Sequence, residues 1–169
     1  FDEIKAMLRD IKSCYALRLP FIGVIGSGEP MMRADFVDII KEIKTLGFDY
    51  SVTTNFTVVS DKIVDAFAKY TPSDLRVSVD GMGEIHDKIR GVPGAFDRII
   101  KFVNKIRLNP QTKDLPIRFN CTIQPLNVGH LAELAEFVFG LDRVWLNYQH
   151  LMFLDESRFK AHDLFFHNI

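Results

Sequence analysis

The sequence FIGVIGSGEP, residues 21–30, decides the fold prediction. It begins as a short apolar strand and passes into a loop that contains Gly26 and Gly28 and ends at Glu29 and Pro30. An apolar strand that is preceded and followed by helices is typical of a parallel α/β sheet. We therefore expect the flanking residues to be helical and the strand–helix unit to recur along the chain.

Strands and amphipathic helices alternate through the rest of the sequence. Apolar residues at helical spacing predict helices over residues 1–17, 32–46, 60–70 (with Ser60 as cap), 95–108 and 127–139 (with Asn127 as cap). Short apolar runs predict strands over residues 21–26, 48–55, 75–80, 116–124 and 143–150, with a glycine-rich connection over 81–94 and a short helix after Asp155. This order predicts one domain over residues 1–169, an α/β partial (β/α) TIM-like barrel of parallel strands with outer helices.

Composition excludes several functional classes. The 169 residues are 47% hydrophobic and 25% charged, as in a globular domain, and the net charge of −1 gives no reason to expect nucleic acid or an anionic membrane. No apolar run approaches the roughly 20 residues of a membrane span, and no signal peptide is visible. The two cysteines, Cys14 and Cys121, are far apart and lie on apolar phases, so we expect core positions and a reducing cytoplasm.

Polar residues alternate with apolar ones along several predicted strands. In residues 117–124 the odd positions are apolar, and the even positions are Arg118, Asn120, Thr122 and Gln124. Parallel strands that are covered by helices are usually apolar on both faces, so the pattern predicts a wet lumen that holds a polar ligand. An antiparallel sheet with one solvated face would give the same alternation, but a helix between every two strands argues against it.

Three motifs, in this order, resemble those of radical S-adenosylmethionine (SAM) enzymes. GSGEP at 26–30 resembles the GGEP motif, with Ser27 in place of the first glycine. TTNFT at 53–57 resembles the TNG motif, with Phe56 where glycine is usual. Residues 77–96, VSVDG through EIHDKIRGVPGAF, resemble the subgroup whose members often carry a C-terminal SPASM or twitch domain.

The resemblance implies SAM and a [4Fe–4S] cluster as cofactors. In the family, the reduced cluster cleaves SAM to methionine and a 5′-deoxyadenosyl radical, which abstracts a substrate hydrogen. It also implies a peptide or protein as the first expectation for the substrate, and a reductant such as flavodoxin or ferredoxin. The family's CxxxCxxC motif is absent from this sequence. We therefore expect the sequence to be a fragment of a longer protein that lacks the N-terminal strand and the cluster loop, so that the cluster ligands lie outside it and these residues alone are inactive.

Two alternatives stay open. One is a degenerate barrel without a cluster, which binds a nucleoside-like ligand or a protein partner. The other is an ordinary barrel enzyme with acid/base chemistry at Asp80 and Glu29. The presence or absence of CxxxCxxC immediately upstream separates the first alternative from the leading hypothesis, and a cluster absorbance band separates the second.

The resemblance also implies where SAM binds. The expected contacts are Gly26, Ser27, Gly28, Glu29, Thr54, Asn55, Ser78, Asp80, Arg90, Asn120 and Thr122, with no metal ligand among them. The loop at 26–29 would accept from the SAM ammonium, and Arg90 would pair with its carboxylate. A surface pair of Arg90 with Asp87 or Glu84 is the structural alternative, and we expect a structural role for His86.

Overall fold

The computed structural model describes residues 1–15, 17–26, 28–58 and 60–150. The helices are α1 Asp2–Cys14, α2 Phe36–Thr45, α3 Asp61–Lys69, α4 Gly83–Arg90, α5 Ala95–Leu108 and α6 Leu131–Phe139, with 3-10 turns at Pro30–Met32 and Val128–His130. The strands are β1 Ile22–Val24, β2 Tyr50–Thr54, β3 Asp74–Ser78, β4 Ile117–Ile123 and β5 Val144–His150. Ser27 and the helix predicted after Asp155 lie outside the described residues.

The five strands form one parallel sheet in the order β1-β2-β3-β4-β5. One apolar row crosses the whole sheet in register through Val24, Val52, Leu75, Ile117 and Val144. Each connection between neighbouring strands carries a helix, as the right-handed βαβ arrangement requires. The predicted α/β fold of parallel strands with outer helices is therefore confirmed.

Aromatic side chains join the outer helices into one layer. Phe36 of α2 packs edge-on against Phe67 of α3, with ring centroids 6.1 Å apart. Phe67 in turn meets Phe102 of α5 at 6.5 Å. All three rings are buried, and each burial stabilises the fold by about 2–3 kcal/mol. Within the described residues, no helix is both long and apolar enough to cross a membrane.

The glycine-rich connection predicted over residues 81–94 contains a helix instead, α4. Sequence patterning missed it because only His86 of its eight residues is buried, which leaves no apolar stripe. The helix ends at Gly91, whose φ of +66° is the left-handed conformation that glycine adopts without strain. The carboxylate of Asp87 then accepts from the backbone N–H groups of Gly94 and Phe96 and so begins α5.

Three smaller expectations are also corrected. Helix α2 begins at Phe36 and not at residue 32, because Glu29 caps a separate 3-10 turn. Asn127 and Ser60 stand at the starts of their elements, but neither side chain makes a capping hydrogen bond. Cys14 is exposed at the end of α1, whereas Cys121 is buried as expected.

Phe56 adopts a backbone conformation that suits glycine. Its φ is +54°, and its side chain is nevertheless 1% exposed, with its ring 4.2 Å from that of Phe102. For a residue with a Cβ, this left-handed conformation costs roughly 1–2 kcal/mol. The burial of the ring offsets the strained backbone, which explains how phenylalanine is accommodated at a position where the related motif has glycine.

Substitutions at Phe56 should separate these two effects. Phe56→Ala should lower the free energy of unfolding by about 3–5 kcal/mol, because it empties a buried aromatic site. Phe56→Gly should be about 1 kcal/mol more stable than Phe56→Ala, because glycine relieves the backbone strain. Urea unfolding of the protein that carries this chain would measure both variants.

The matched control is Phe119, which is equally buried in β4 but is not among the residues with positive φ. There the order should reverse, and Phe119→Gly should be less stable than Phe119→Ala by about 0.5–1 kcal/mol. The same order of glycine and alanine at both positions would contradict the proposed strain at Phe56.

Candidate functional site

The Glu29 carboxylate joins the loop after β1 to the end of β2. Oε1 accepts from the Met31 N–H at 3.1 Å and from the Thr54 hydroxyl at 2.8 Å, and Oε2 accepts from the Asn55 N–H at 2.7 Å. Glu29 is buried, and these bonds use three of about four acceptor positions on its carboxylate. Glu29 therefore holds the loop against β2. One acceptor position remains on its Oε2 for a ligand.

The glycines of this loop have different surroundings. A Cβ added at Gly28 would meet nothing within 4 Å, so the backbone there is open to an approaching ligand. Gly26 borders an apolar cavity of about 290 Å³ between β1, α1 and α2, which Ile4, Met7 and Ile39 also line.

Asp80 follows β3 and binds four residues, two on α4 and two at the end of β4 and in the turn after it. Its carboxylate, 2% exposed, accepts from the Thr122 N–H at 3.1 Å and pairs with Arg90 Nε at 2.7 Å. Its carbonyl accepts from Asn127 Nδ2 at 2.8 Å, and its N–H donates to His86 Nδ1 at 3.1 Å. The structural role expected for His86 is confirmed. The Asp80 side chain is therefore already engaged within the protein.

Arg90 pairs with Asp80, which is neither of the partners considered for a surface pair. Asp87 instead caps α5. The Arg90 side chain is 33% exposed, and together with Asn55 and His86 it lines a cavity of about 70 Å³. Because Asn55 is bonded to Glu29, this cavity brings the loop after β1 and the network at Asp80 to one rim.

A third cavity lies against the polar face of β3, β4 and β5. Its volume is about 590 Å³, and its lining consists of Arg76, Arg118, Asn120, Trp145, Leu146, Asn147 and Gln149. Asn120 pairs in register with Ser78 on one side and Asn147 on the other. Gln149 Nε2 donates to the Thr122 hydroxyl at 3.0 Å. The alternation seen in the sequence therefore corresponds to one polar sheet face with space in front of it.

The structure brings the predicted residues together in three groups. Glu29, Thr54 and Asn55 form one; Asp80, Arg90 and the Thr122 N–H form the second; Ser78 and Asn120 lie on the polar sheet face. Gly28 and Ser78 are not among the lining residues of any of these three cavities.

Sequence reasoning missed Asn127 as a site residue. Its amide also accepts from the Gln124 N–H and donates to the Thr122 carbonyl, so it fixes the turn after β4. No periodicity signals such a role. The sequence placed three further residues on the polar faces of their strands but assigned them no individual role: Arg76, Arg118 and Trp145.

The described residues do not provide ligands for an iron–sulfur cluster. No group of three or more His, Cys, Asp or Glu side chains among them is placed to hold a metal ion. Cys14 is exposed on α1, and burial raises the pKa of the Cys121 thiol to about 11, which keeps it protonated at neutral pH. The open loop backbone, the Arg90 guanidinium and the amides of the sheet face do fit SAM, which carries an ammonium, a carboxylate and a ribose.

Comparisons with known proteins place the chain in a family. The family described as "Radical SAM superfamily" matches residues 2–138. An AdoMet-dependent heme synthase of Methanosarcina barkeri is 29% identical over 144 residues, which are 85% of this chain and 39% of that protein. A probable GTP 3′,8-cyclase of Saccharolobus islandicus is 32% identical over 142 residues, which are 80% of this chain and 44% of that protein. The chain thus spans less than half the length of both relatives.

Solved structures show the same fold. Streptococcus suis SuiB bound to S-adenosylmethionine matches with a TM-score of 0.68 at 18% sequence identity, over 99% of this chain and 41% of that one. A domain of pyruvate-formate lyase-activating enzyme from Bacteroides vulgatus matches with a TM-score of 0.59 at 18% identity, over 86% of this chain and 92% of that one.

The buried His86 should make stability depend on pH. Burial, and then the Arg90 charge, lower the pKa of His86, and its Nδ1 must stay unprotonated to accept from Asp80. The unfolded chain, with an ordinary pKa near 6.5, binds the proton first as the pH falls. This contribution to stability is therefore present above about pH 6.5 and is lost as the pH falls towards the folded pKa.

Urea unfolding at pH 7.5 and pH 5.5 would check this dependence. We expect the wild-type protein to lose more stability between the two pH values than His86→Gln, which cannot take up the proton. The control His150→Gln, at an exposed histidine, should retain the wild-type loss. An equal loss in wild type and His86→Gln would show that His86 does not titrate in this way.

Proposed function

This chain belongs to the radical SAM superfamily, and on that premise we propose that it is the SAM-binding part of a radical SAM enzyme. The observation that carries the proposal is the rim that joins Glu29, Asn55, Arg90 and Asp80 at the carboxyl ends of the strands. Ligands of (β/α) barrels bind at that end of the strands, where loops from several βα units converge.

Each part of the rim has a distinct task in this proposal. The open backbone at Gly28 accepts from the SAM ammonium, while Glu29 holds the loop in place and offers its remaining acceptor position. Arg90, which reaches Asp80 through Nε, presents its other N–H groups to the SAM carboxylate. Ser78 and Asn120 hydrogen-bond the ribose.

The cofactors supply the reaction itself. When bound with a reduced [4Fe–4S] cluster, SAM supplies radical hydrogen abstraction from the substrate. The cluster ligands belong to residues outside this sequence. The protein residues described above bind and orient SAM and keep water from it.

The substrate class is a separate part of the proposal. We propose a peptide or protein, because residues 77–96 resemble the SPASM and twitch subgroup, in which such substrates are common. The heme synthase and GTP cyclase activities belong to the two relatives and are not part of this proposal. A reductant such as flavodoxin or ferredoxin would deliver the electron.

A second candidate is a degenerate barrel without a cluster, which binds a nucleoside-like ligand or a protein partner. Among the described residues, no group of three or more His, Cys, Asp or Glu side chains is placed to hold a metal ion, so these residues do not distinguish the two candidates. Anaerobic reconstitution of the complete protein with iron and sulfide separates the two candidates, because only the enzyme acquires the absorbance band of a cluster. A CxxxCxxC motif upstream of this chain would support the enzyme.

Removal of the Glu29 carboxylate should weaken SAM binding. Glu29→Ala frees the loop from Thr54 and Asn55 and removes one acceptor, so we expect a loss of about 1.5–3 kcal/mol in binding free energy. Ser78→Ala, which removes only a hydroxyl, should cost about 1 kcal/mol. Isothermal titration with SAM on the intact, reconstituted protein would measure both.

Glu42→Ala is the control, because Glu42 pairs with Arg9 on the outer helices, away from the rim. It should bind SAM as the wild type does. Urea unfolding of Glu29→Ala would distinguish a disordered loop from a general loss of fold. Wild-type affinity in both Glu29→Ala and Ser78→Ala would mean that the rim is not the SAM site.

A further inference from the structure

Two arginines on the polar sheet face share one carboxylate. Arg76 of β3 and Arg118 of β4 are direct neighbours in the register. Arg76 Nε lies 3.3 Å from Asp74 Oδ1, and Arg118 Nε lies 2.9 Å from Asp74 Oδ2. Asp74 is buried, so one fixed negative charge faces two positive ones. The group carries a net charge of about +1.

Most donors of this arginine pair remain free. Each guanidinium has five N–H donors, and within the described part of the chain only the Nε of each is engaged. The side chains of Arg76 and Arg118 are 39% and 53% exposed, and both line the 590 Å³ cavity. Among the described residues, those that line this cavity include no acidic side chain.

The surroundings complete an arrangement for an organic anion. Trp145 is the register neighbour of Arg118 on β5 and is half exposed in the same cavity. Its indole offers an apolar face beside the guanidinium groups. Asn120, Asn147 and Gln149 supply amides on the strand positions nearer the rim. Guanidinium groups bind carboxylates and phosphates through paired N–H donors, and Asp74 already shows that this pair accommodates a carboxylate.

A purely structural role would look different. If the arginines served only to tie β3 to β4 through Asp74, the Nε of each would be enough, and the four other N–H donors of each guanidinium would have no protein partner among the described residues. The buried Asp74 carboxylate needs partners, and the Nε of each arginine supplies one; the other N–H donors of the two guanidinium groups are not needed for that role. The free donors are better explained by a ligand that reaches the cavity.

We propose that Arg76 and Arg118 bind an acidic group of the substrate, a carboxylate or a phosphate, whose apolar part packs on Trp145. This inference rests on the proposed function for the existence of a substrate, and it narrows the substrate to an anionic one. Arg76 and Arg118 are then the residues that determine specificity. Anion binding requires neither SAM nor a cluster, so it can be tested apart from the proposed enzyme activity.

The experiment uses the complete protein, free of SAM, at constant ionic strength, because salt screens such contacts. Citrate is the carboxylate probe, and inorganic pyrophosphate is the phosphate probe. Isothermal titration gives the affinity. Tryptophan fluorescence locates the binding, because Trp145 is the single tryptophan of this chain, and the difference from Trp145→Phe isolates its signal.

Arg76→Gln and Arg118→Gln should each weaken binding of the favoured anion about 10-fold or more, since each removes charge-assisted donors. Arg118→Lys keeps the positive charge but lacks the paired N–H donors of a guanidinium, so its affinity for the anion should lie between those of the wild type and Arg118→Gln. Asp74→Asn should tighten binding several-fold, because it removes the competing negative charge. Arg9→Gln is the matched control, with the same change in net charge on the outer helices, and should bind as the wild type does.

Binding of either probe with these effects supports the proposal, and the preferred probe identifies the acidic group. If neither probe binds, or if Arg76→Gln and Arg118→Gln lose no more affinity than Arg9→Gln, the proposal is wrong. Thermal unfolding of each variant confirms that it is folded. A titration with SAM on the same samples reports separately on the proposed function.

Discussion

The buried carboxylate of Asp80 is the constraint on which the rim depends. A carboxylate with 2% exposure would be costly without partners, and here it receives the Thr122 N–H and the charge of Arg90. The same residue uses its backbone to fix His86 and Asn127. The end of β3, the helix that follows it and the turn after β4 are therefore positioned by one residue, and none of them can shift alone.

Glu29 does for β1 and β2 what Asp80 does for β3 and β4. Both are acidic residues in the segment that follows a strand, and the carboxylate oxygens of both accept hydrogen bonds from within the protein. The loops of the rim are thus ordered before a ligand binds, so binding does not carry the entropic cost of ordering them. The resemblance implies that these residues contact SAM, and their hydrogen bonds show that they also hold neighbouring groups in place.

The sheet could be predicted from the sequence because side chains return to the same face every two residues in a strand and every 3.6 residues in a helix. The even positions Arg118 and Asn120 were assigned to the polar face on that ground alone, and the register agrees. Convergence of the strand ends follows from parallel topology. Helix α4 was missed because His86 is its only buried residue, and no local pattern shows the bonds that join Asn127 to Asp80 and Asp74 to Arg118, which lie 47 and 44 positions apart.

The apolar row from Val24 to Val144 has a consequence for how the sheet assembles. Because side chains alternate, a slip of one residue between β3 and β4 would turn Arg118 and Asn120 under the helices and expose Phe119. A one-residue misalignment of β4 is thus penalised by a buried charge, and the chain can discard it. Parallel strands meet late, across long intervening segments, so this penalty protects the slowest step of folding from being trapped in a wrong alignment.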